Sequence, residues 1–253
     1  MPDTSISPAA TAAPAAASET TAAPAQLPVA LVTGASSGMG REIVRDLART
    51  HRVIAVGRDT ARLAAIATET GAEAWQLDVT DSAEFSDRIA QLERFDVLVH
   101  AAAIGQHLAT DEASAADWER HLAVNVTAPA LITRAALPAL REAAGTVVFI
   151  GSGASTKPVP GSAVYTATKH ALRGLADVLR IDEQPHRVRV VTIAPGQTDT
   201  EMLRSGIPAD QYTPERYIRP ESVAATVRFV VDAPADVHLT DIAVRPRQEI
   251  ARL

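Results

Sequence analysis

From Val29 onward, short apolar runs alternate with stretches whose apolar positions recur at helical spacing. "VALVT" reads as a buried strand, and "MGREIVRDLART" follows with Ile43, Val44 and Leu47 on one helical face. "RVIAVG" and "TARLAAIATET" repeat the pair, as do "AEAWQLDV" and "SAEFSDRIAQLE". "FDVLVHAAA" is a fourth strand, followed by helical stretches at 113–123 and 126–143. "GTVVFIGS" is a fifth strand, 163–183 a long helix and "VRVVTIAP" a sixth strand. An irregular polar stretch covers 196–219, a helix 221–231, and "DIAVRP" closes as a seventh strand. Strands that are apolar throughout must be buried on both faces, which a parallel sheet with helices on each side achieves. Right-handed crossovers then give an α/β, doubly wound, seven-stranded parallel sheet in a single domain, 27–253. Such sheets bind ligands outside the carboxyl ends of their strands, so the chemistry is sought there.

Composition narrows the function classes. The 253 residues suffice for one core, and a net charge of -6 leaves no basic excess for nucleic acid or an acidic membrane. The absence of cysteine removes disulfides and thiolate chemistry and fits a cytoplasmic protein. No stretch approaches 18 uninterrupted apolar residues, so no membrane span is expected. Residues 1–26 hold ten Ala, four Pro and seven Ser or Thr, without a basic start, and read as a disordered tail.

The first strand ends in "TGASSGMG". Gly34, Gly38 and Gly40 stand between strand and helix, where tight turns and close phosphate approach call for glycine. A helix N-terminus there offers N–H groups to a pyrophosphate. The spacing departs from G-x-G-x-x-G. "TGASSGMG" together with "YTATK" at 165–169 resembles the short-chain dehydrogenases/reductases of the classical type, over residues 29–246. The resemblance implies a Rossmann fold and a nicotinamide cofactor, with Thr33, Gly34, Ser36, Ser37, Gly38, Met39 and Gly40 contacting it.

The end of the second strand reads "VGRD". Gly57 stands where NAD-dependent members carry Asp, and Arg58 can hold a 2′-phosphate, so NADP(H) is expected. Arg41 is a second candidate, and Asp59 caps the next helix. The resemblance places Asp78 at the adenine amino group and Val79 near its ring, although Asp78 also suits a helix cap. "HAAAIG" departs from the family's Asn-Asn-Ala-Gly at His100, Ala101 and Ala103, while Ala102 still passes under the ribose. His100 reads as a buried histidine bonded to backbone rather than a base.

Only three tyrosines and two lysines occur, yet Tyr165 and Lys169 stand at i and i+4 of one helix. A neighbouring ammonium favours a phenolate, letting Tyr165 exchange a proton with a carbonyl or alcohol oxygen. Ser152, 13 residues before Tyr165, matches the family's serine and would hydrogen-bond the developing oxyanion, with Ser155 and Ser162 as nearby rivals. Asn125, 27 residues before Ser152, matches the residue that completes a proton relay from Lys169, or else caps a helix. Pro195 and Gly196 leave the sheet sharply, and by resemblance Thr198 and Thr200 bind the nicotinamide carboxamide. Residues 202–219 then form a lid.

The expected function is NADP(H)-dependent hydride transfer to or from a small carbonyl or secondary alcohol, with no metal. A catalytically weak NADPH-binding regulator is the alternative, motivated by "HAAAIG" and the tail. An epimerase or dehydratase is disfavoured by the short C-terminal region. By resemblance the protein is a homodimer or homotetramer pairing helices 126–143 and 163–183.

Overall fold

The computed structural model describes residues 26–248, so the expected tail, bar Gln26, lies outside the described residues. Seven parallel strands form one sheet in the order β3-β2-β1-β4-β5-β6-β7. They are β1 (Val29–Thr33), β2 (Arg52–Gly57), β3 (Glu73–Gln76), β4 (Val97–His100), β5 (Thr146–Ile150), β6 (Arg189–Pro195) and β7 (Asp241–Val244). The order reverses between β1 and β4, which opens a crevice at their carboxyl ends.

Side chains alternate across the sheet and build two cores. Ala30 and Val32 of β1 face α1 (Gly38–Leu47), α2 (Thr60–Thr70) and α8 (Pro220–Val231) through Ile43, Leu47, Leu63 and Val227. Val29 and Leu31 face α3 (Ser82–Ile89), α5 (Ala128–Ala143) and α6 (Ala163–Asp182) through Phe85, Ile132 and Leu172. Each fully buried Leu, Ile or Phe contributes about 1.5–3 kcal/mol, so both layers fix the strand ends that carry the chemistry.

Local signals set the boundaries. The Asp59 carboxylate caps α2 by accepting from Arg62 N at 3.0 Å, and Gly71 ends that helix at φ 75°. Asp81, not Asp78, caps α3. The third strand is shorter than its apolar run suggests, because Asp78 turns the chain by accepting from Thr80 N at 2.9 Å. The helices expected at 113–123 and 126–143 form one continuous run. α4 (Ala115–Leu122) passes through a π-turn, Ala123–Thr127, into α5. This run, Ala115–Ala143, is long enough to cross a membrane and contains an 18-residue window of mean hydropathy 1.2, although charged residues interrupt it. Ile132, Ala136 and Leu140 bury it against the sheet. The polar stretch after β6 contains a short helix, α7 (Glu201–Arg204), and two 3-10 turns.

Candidate active site

The glycine turn explains its own residue types. Gly34 has φ +70°, and a Cβ there would lie 2.7 Å from Ala102 N. A Cβ on Gly40 would fall 2.2 Å from Gly34 O. Two backbone segments therefore touch where the crevice opens, and only glycine permits it. Thr33 ties the same point together: its Oγ1 accepts from Ala101 N and Ala102 N, each at 3.2 Å. Ser37 is the N-cap of α1 but makes no side-chain cap. The first-turn N–H groups of Gly38, Met39 and Gly40 thus face the crevice at the positive end of the helix. Ser36 borders Gly57 across the turn, with its Oγ 3.2 Å from where a Cβ would stand. These features fit a dinucleotide pyrophosphate.

At the end of β2, the Arg58 guanidinium is 74% exposed and lies 3.5 Å from Asp78. Asp78 sits below the usual carboxylate range, chiefly because Thr80 N donates to it. Arg41 is also exposed and lies 3.5 Å from Glu42. Val79 packs against the second core. A side chain that the sequence reading missed adds to this edge: Arg62 of α2 bonds Glu201 of α7 at 2.9 Å. It links α2 to α7, at the start of the segment 202–219 expected to form a lid.

At the end of β4, His100 is 3% exposed, stacks on Phe149 at 4.9 Å and shares a 2.8 Å hydrogen bond with Thr133. Burial drives its pKa down to about 3, so it is a neutral packing group and no base. Its partner is a side-chain hydroxyl, not the expected backbone group.

The reacting set converges at the ends of β4, β5 and α6. The Ser152 side chain stands near the Tyr165 phenol and draws its pKa down. Ser152 follows β5 in extended backbone, and its Oγ accepts from Ala154 N at 3.1 Å. Ser155, one of the two rivals, accepts from Ser152 N at 3.2 Å and so props the turn. Lys169 is 3% exposed, and its Nζ donates to Ile150 O at 2.9 Å. That ammonium lies 5.7 Å from the Tyr165 ring centroid. Burial brings the Lys169 pKa down to about 8.

The direction of the Tyr165 shift corrects the sequence expectation. Burial pushes the phenol above its ordinary value, and the nearby Ser152 only partly offsets this. The ring stands beside Gly105, and the Lys169 charge is spent on the Ile150 carbonyl.

Asn125 lies in the π-turn and is 1% exposed. Its side chain accepts from Ile104 N and donates to Ile104 O, both at 2.9 Å, and donates to Thr168 at 3.1 Å. It caps no helix. Pro129, four residues on, has no N–H, so the Asn125 carbonyl receives no α-helical bond from it.

After β6, Pro195 is buried and Gly196 N bonds Val244 O at 2.7 Å. Thr198 pairs with Ile218, and its hydroxyl bonds Gly196 O at 3.1 Å. The Thr200 side chain accepts from Leu203 N at 3.3 Å as the cap of α7. A groove of about 750 Å³ lies at the amino ends of β1, β2 and β3, the opposite end of the strands, lined by residues such as Leu27, His51 and Leu92. It contains none of the reacting set.

Crevice, glycine turn and Ser-Tyr-Lys cluster define a dinucleotide-binding oxidoreductase fold. The sequence profile of the short chain dehydrogenase family matches residues 28–210. An uncharacterized short-chain type dehydrogenase/reductase of Sinorhizobium fredii is 33% identical over 230 residues, covering 88% of this chain and 92% of that protein. An NADP-dependent 3-hydroxy acid dehydrogenase of Salmonella typhi is 34% identical over 234 residues, covering 86% and 94%. Among solved structures, a closed serine dehydrogenase complexed with NADP+ superposes with a TM-score of 0.82 and 33% identity, covering 89% and 98%. An alcohol dehydrogenase of Thermococcus sibiricus complexed with 5-hydroxy-NADP gives 0.81 and 28%, covering 90% and 100%. The chain belongs to the short-chain dehydrogenase/reductase family, and is an oxidoreductase acting on CH–OH and C=O groups.

Proposed function

We propose that the protein transfers a hydride between NADP(H) and a small carbonyl or secondary alcohol, with Tyr165 as general acid/base. The observation that carries this reading is the cluster in which the half-buried Tyr165 phenol stands near Ser152, one helical turn from the buried Lys169. The cofactor is NADP(H): Arg58 stands free enough to meet a 2′-phosphate, Gly57 offers no carboxylate to repel it, and three of the four similar proteins named above are NADP-dependent or bind NADP-type ligands. When bound, the nicotinamide supplies or accepts the hydride at the reacting carbon.

The chain's own residues do the rest. Ser152 Oγ polarises the substrate oxygen. Tyr165 gives that oxygen its proton during reduction and takes it back during oxidation. A phenol held above its ordinary pKa stays protonated at neutral pH, as the reductive direction requires. Lys169, charged below about pH 8, holds the ribose hydroxyls and relays the proton toward the Asn125 carbonyl. Backbone at Ala102, Pro195 and Gly196, with Thr198 and Thr200, orients the cofactor. Val178 and Ile181 of α6 are 58% and 67% exposed, which supports pairing of this helix in a homodimer or homotetramer.

NADPH and NADH oxidation with a panel of ketones, aldehydes and 3-oxo acids tests this. Turnover with NADPH that collapses in Tyr165→Phe is expected. Tight NADPH binding with no turnover on any substrate would instead favour the regulator.

A further inference from the structure

One polar pair beside Tyr165 has no part in the hydride chemistry. Ser162 is 4% exposed and stands immediately before α6, three residues ahead of Tyr165. A serine at an N-cap usually accepts from the helix backbone. Here it makes no side-chain cap, and its Oγ lies 2.9 Å from His107 Nδ1. His107 comes two residues after Gly105, where an added Cβ would lie 3.2 Å from the Tyr165 ring and 3.0 Å from Met202 Sδ. Leu108 O accepts from Ala163 N at 3.0 Å, clamping this loop to the start of α6. From the lid side, a Cβ on Gly206 would stand 3.3 Å from His107 Nε2. The imidazole is thus held between the start of α6 and the segment at Gly206, two residues from the Gly105 that borders the Tyr165 ring, yet His107 remains exposed.

We propose that His107, positioned by Ser162, recognises a carboxylate carried by the substrate close to its reacting carbon, which makes the substrate a small hydroxy or oxo acid. This rests on the oxidoreductase reading above. With the Ser162 hydroxyl donating to Nδ1, the ring proton sits on Nε2 and points toward the lid side of the pocket as a donor. A carboxylate accepts that bond with charge assistance. The loop that carries Ser162 also carries exposed Lys157, which adds positive potential at the same mouth. A mere clip between loop and helix would use both ring nitrogens inside the protein; here the hydrogen bond to Ser162 engages Nδ1, and Nε2 lies against Gly206, which has no side chain.

The test compares a small 3-hydroxy acid with the neutral secondary alcohol of the same chain length. Wild type, Tyr165→Phe, His107→Ala, His107→Gln and Ser162→Ala are each assayed on both with NADP+. His107→Ala is expected to raise KM for the acid about 10- to 100-fold while leaving kcat and the neutral alcohol unchanged. His107→Gln, which keeps a donor, restores part of the loss, and Ser162→Ala gives a smaller rise in the same direction. Equal losses on both substrates, or no loss on the acid, would overturn the role of His107 alone. Absence of Tyr165-dependent turnover on either substrate would remove the oxidoreductase reading and the proposal with it.

Discussion

The crevice has a buried end and an exposed end, and they are built differently. At the buried end, Asn125, Lys169 and Thr168 are each at most 3% exposed, and bonds to Ile104, Ile150 and one another fix them. At the exposed end, Arg58 pairs with Asp78, and Arg62 with Asp59 and Glu201, all through solvent-exposed ionic contacts. Burial shifts proton affinities and makes geometry costly to change. Exposure lets water and salt screen every charge. Large effects on the chemical step are therefore expected at one end, and small, salt-dependent effects on binding at the other.

The sharpest way to break this comparison is to remove the phenol oxygen. Tyr165→Phe keeps the ring against Gly105 but loses the hydroxyl and its proton. A fall in kcat of roughly 10²–10⁴-fold is expected, with the cofactor's dissociation constant nearly unchanged. Measured kcat within a few-fold of wild type would move the acid/base elsewhere.

Lys169 offers a test in which stability and activity move in opposite directions. Burial lowers its folded pKa from 10.5 to about 8, so its charge is a cost to the fold at neutral pH. Between those two values the unfolded chain binds more protons, and stability rises with pH. The shift corresponds to about 3 kcal/mol, part of which is offset when the Ile150 carbonyl loses its donor. Lys169→Met is expected to stabilise the cofactor-free protein by about 1–3 kcal/mol at pH 7 while abolishing turnover. Denaturant melts of both proteins from pH 7 to 9.5 check it: the gap should narrow as pH rises. A variant less stable than wild type at pH 7 would show that the ammonium stabilises its site.

What could be read from sequence follows the same division. The strand–helix alternation, Gly34 and Gly40, and the Tyr165–Lys169 pair were legible because period, backbone contact and i,i+4 spacing are local properties. The bonds of His100 with Thr133 and of His107 with Ser162 were not, since they join residues 33 and 55 positions apart. The π-turn at Asn125 was hidden because Pro129 resembles a helix start as much as a helix interior. The direction of the Tyr165 shift was missed for a physical reason. Sequence shows that an ammonium is near, but not that apolar walls surround the phenol or that Ile150 holds the ammonium.

At the exposed end, Arg58→Ala is expected to raise KM for NADPH about tenfold and leave NADH almost untouched. Added salt should shrink the difference between the two proteins, because the side chain is 74% exposed. Equal losses with both cofactors would assign Arg58 to the shared adenosine rather than to the 2′-phosphate.

The smallest effect is expected where the two ends meet. Arg62 and Glu201 stand 139 residues apart and join the first turn of α2 to the first residue of α7 at 2.9 Å. Their side chains are 48% and 65% exposed. An ion pair of that exposure competes with water and mobile ions, so its hold on the lid is weak. Glu201→Gln should change KM for the cofactor by less than about threefold at low ionic strength, and the difference should vanish as salt is added. Measuring KM at two ionic strengths, for variant and wild type, decides it. A tenfold or larger change that persists in salt would mean that this pair is shielded when the lid closes. The division between a buried, rigid end and an exposed, screened end would then hold only for the open crevice, and the latch would belong with the buried groups.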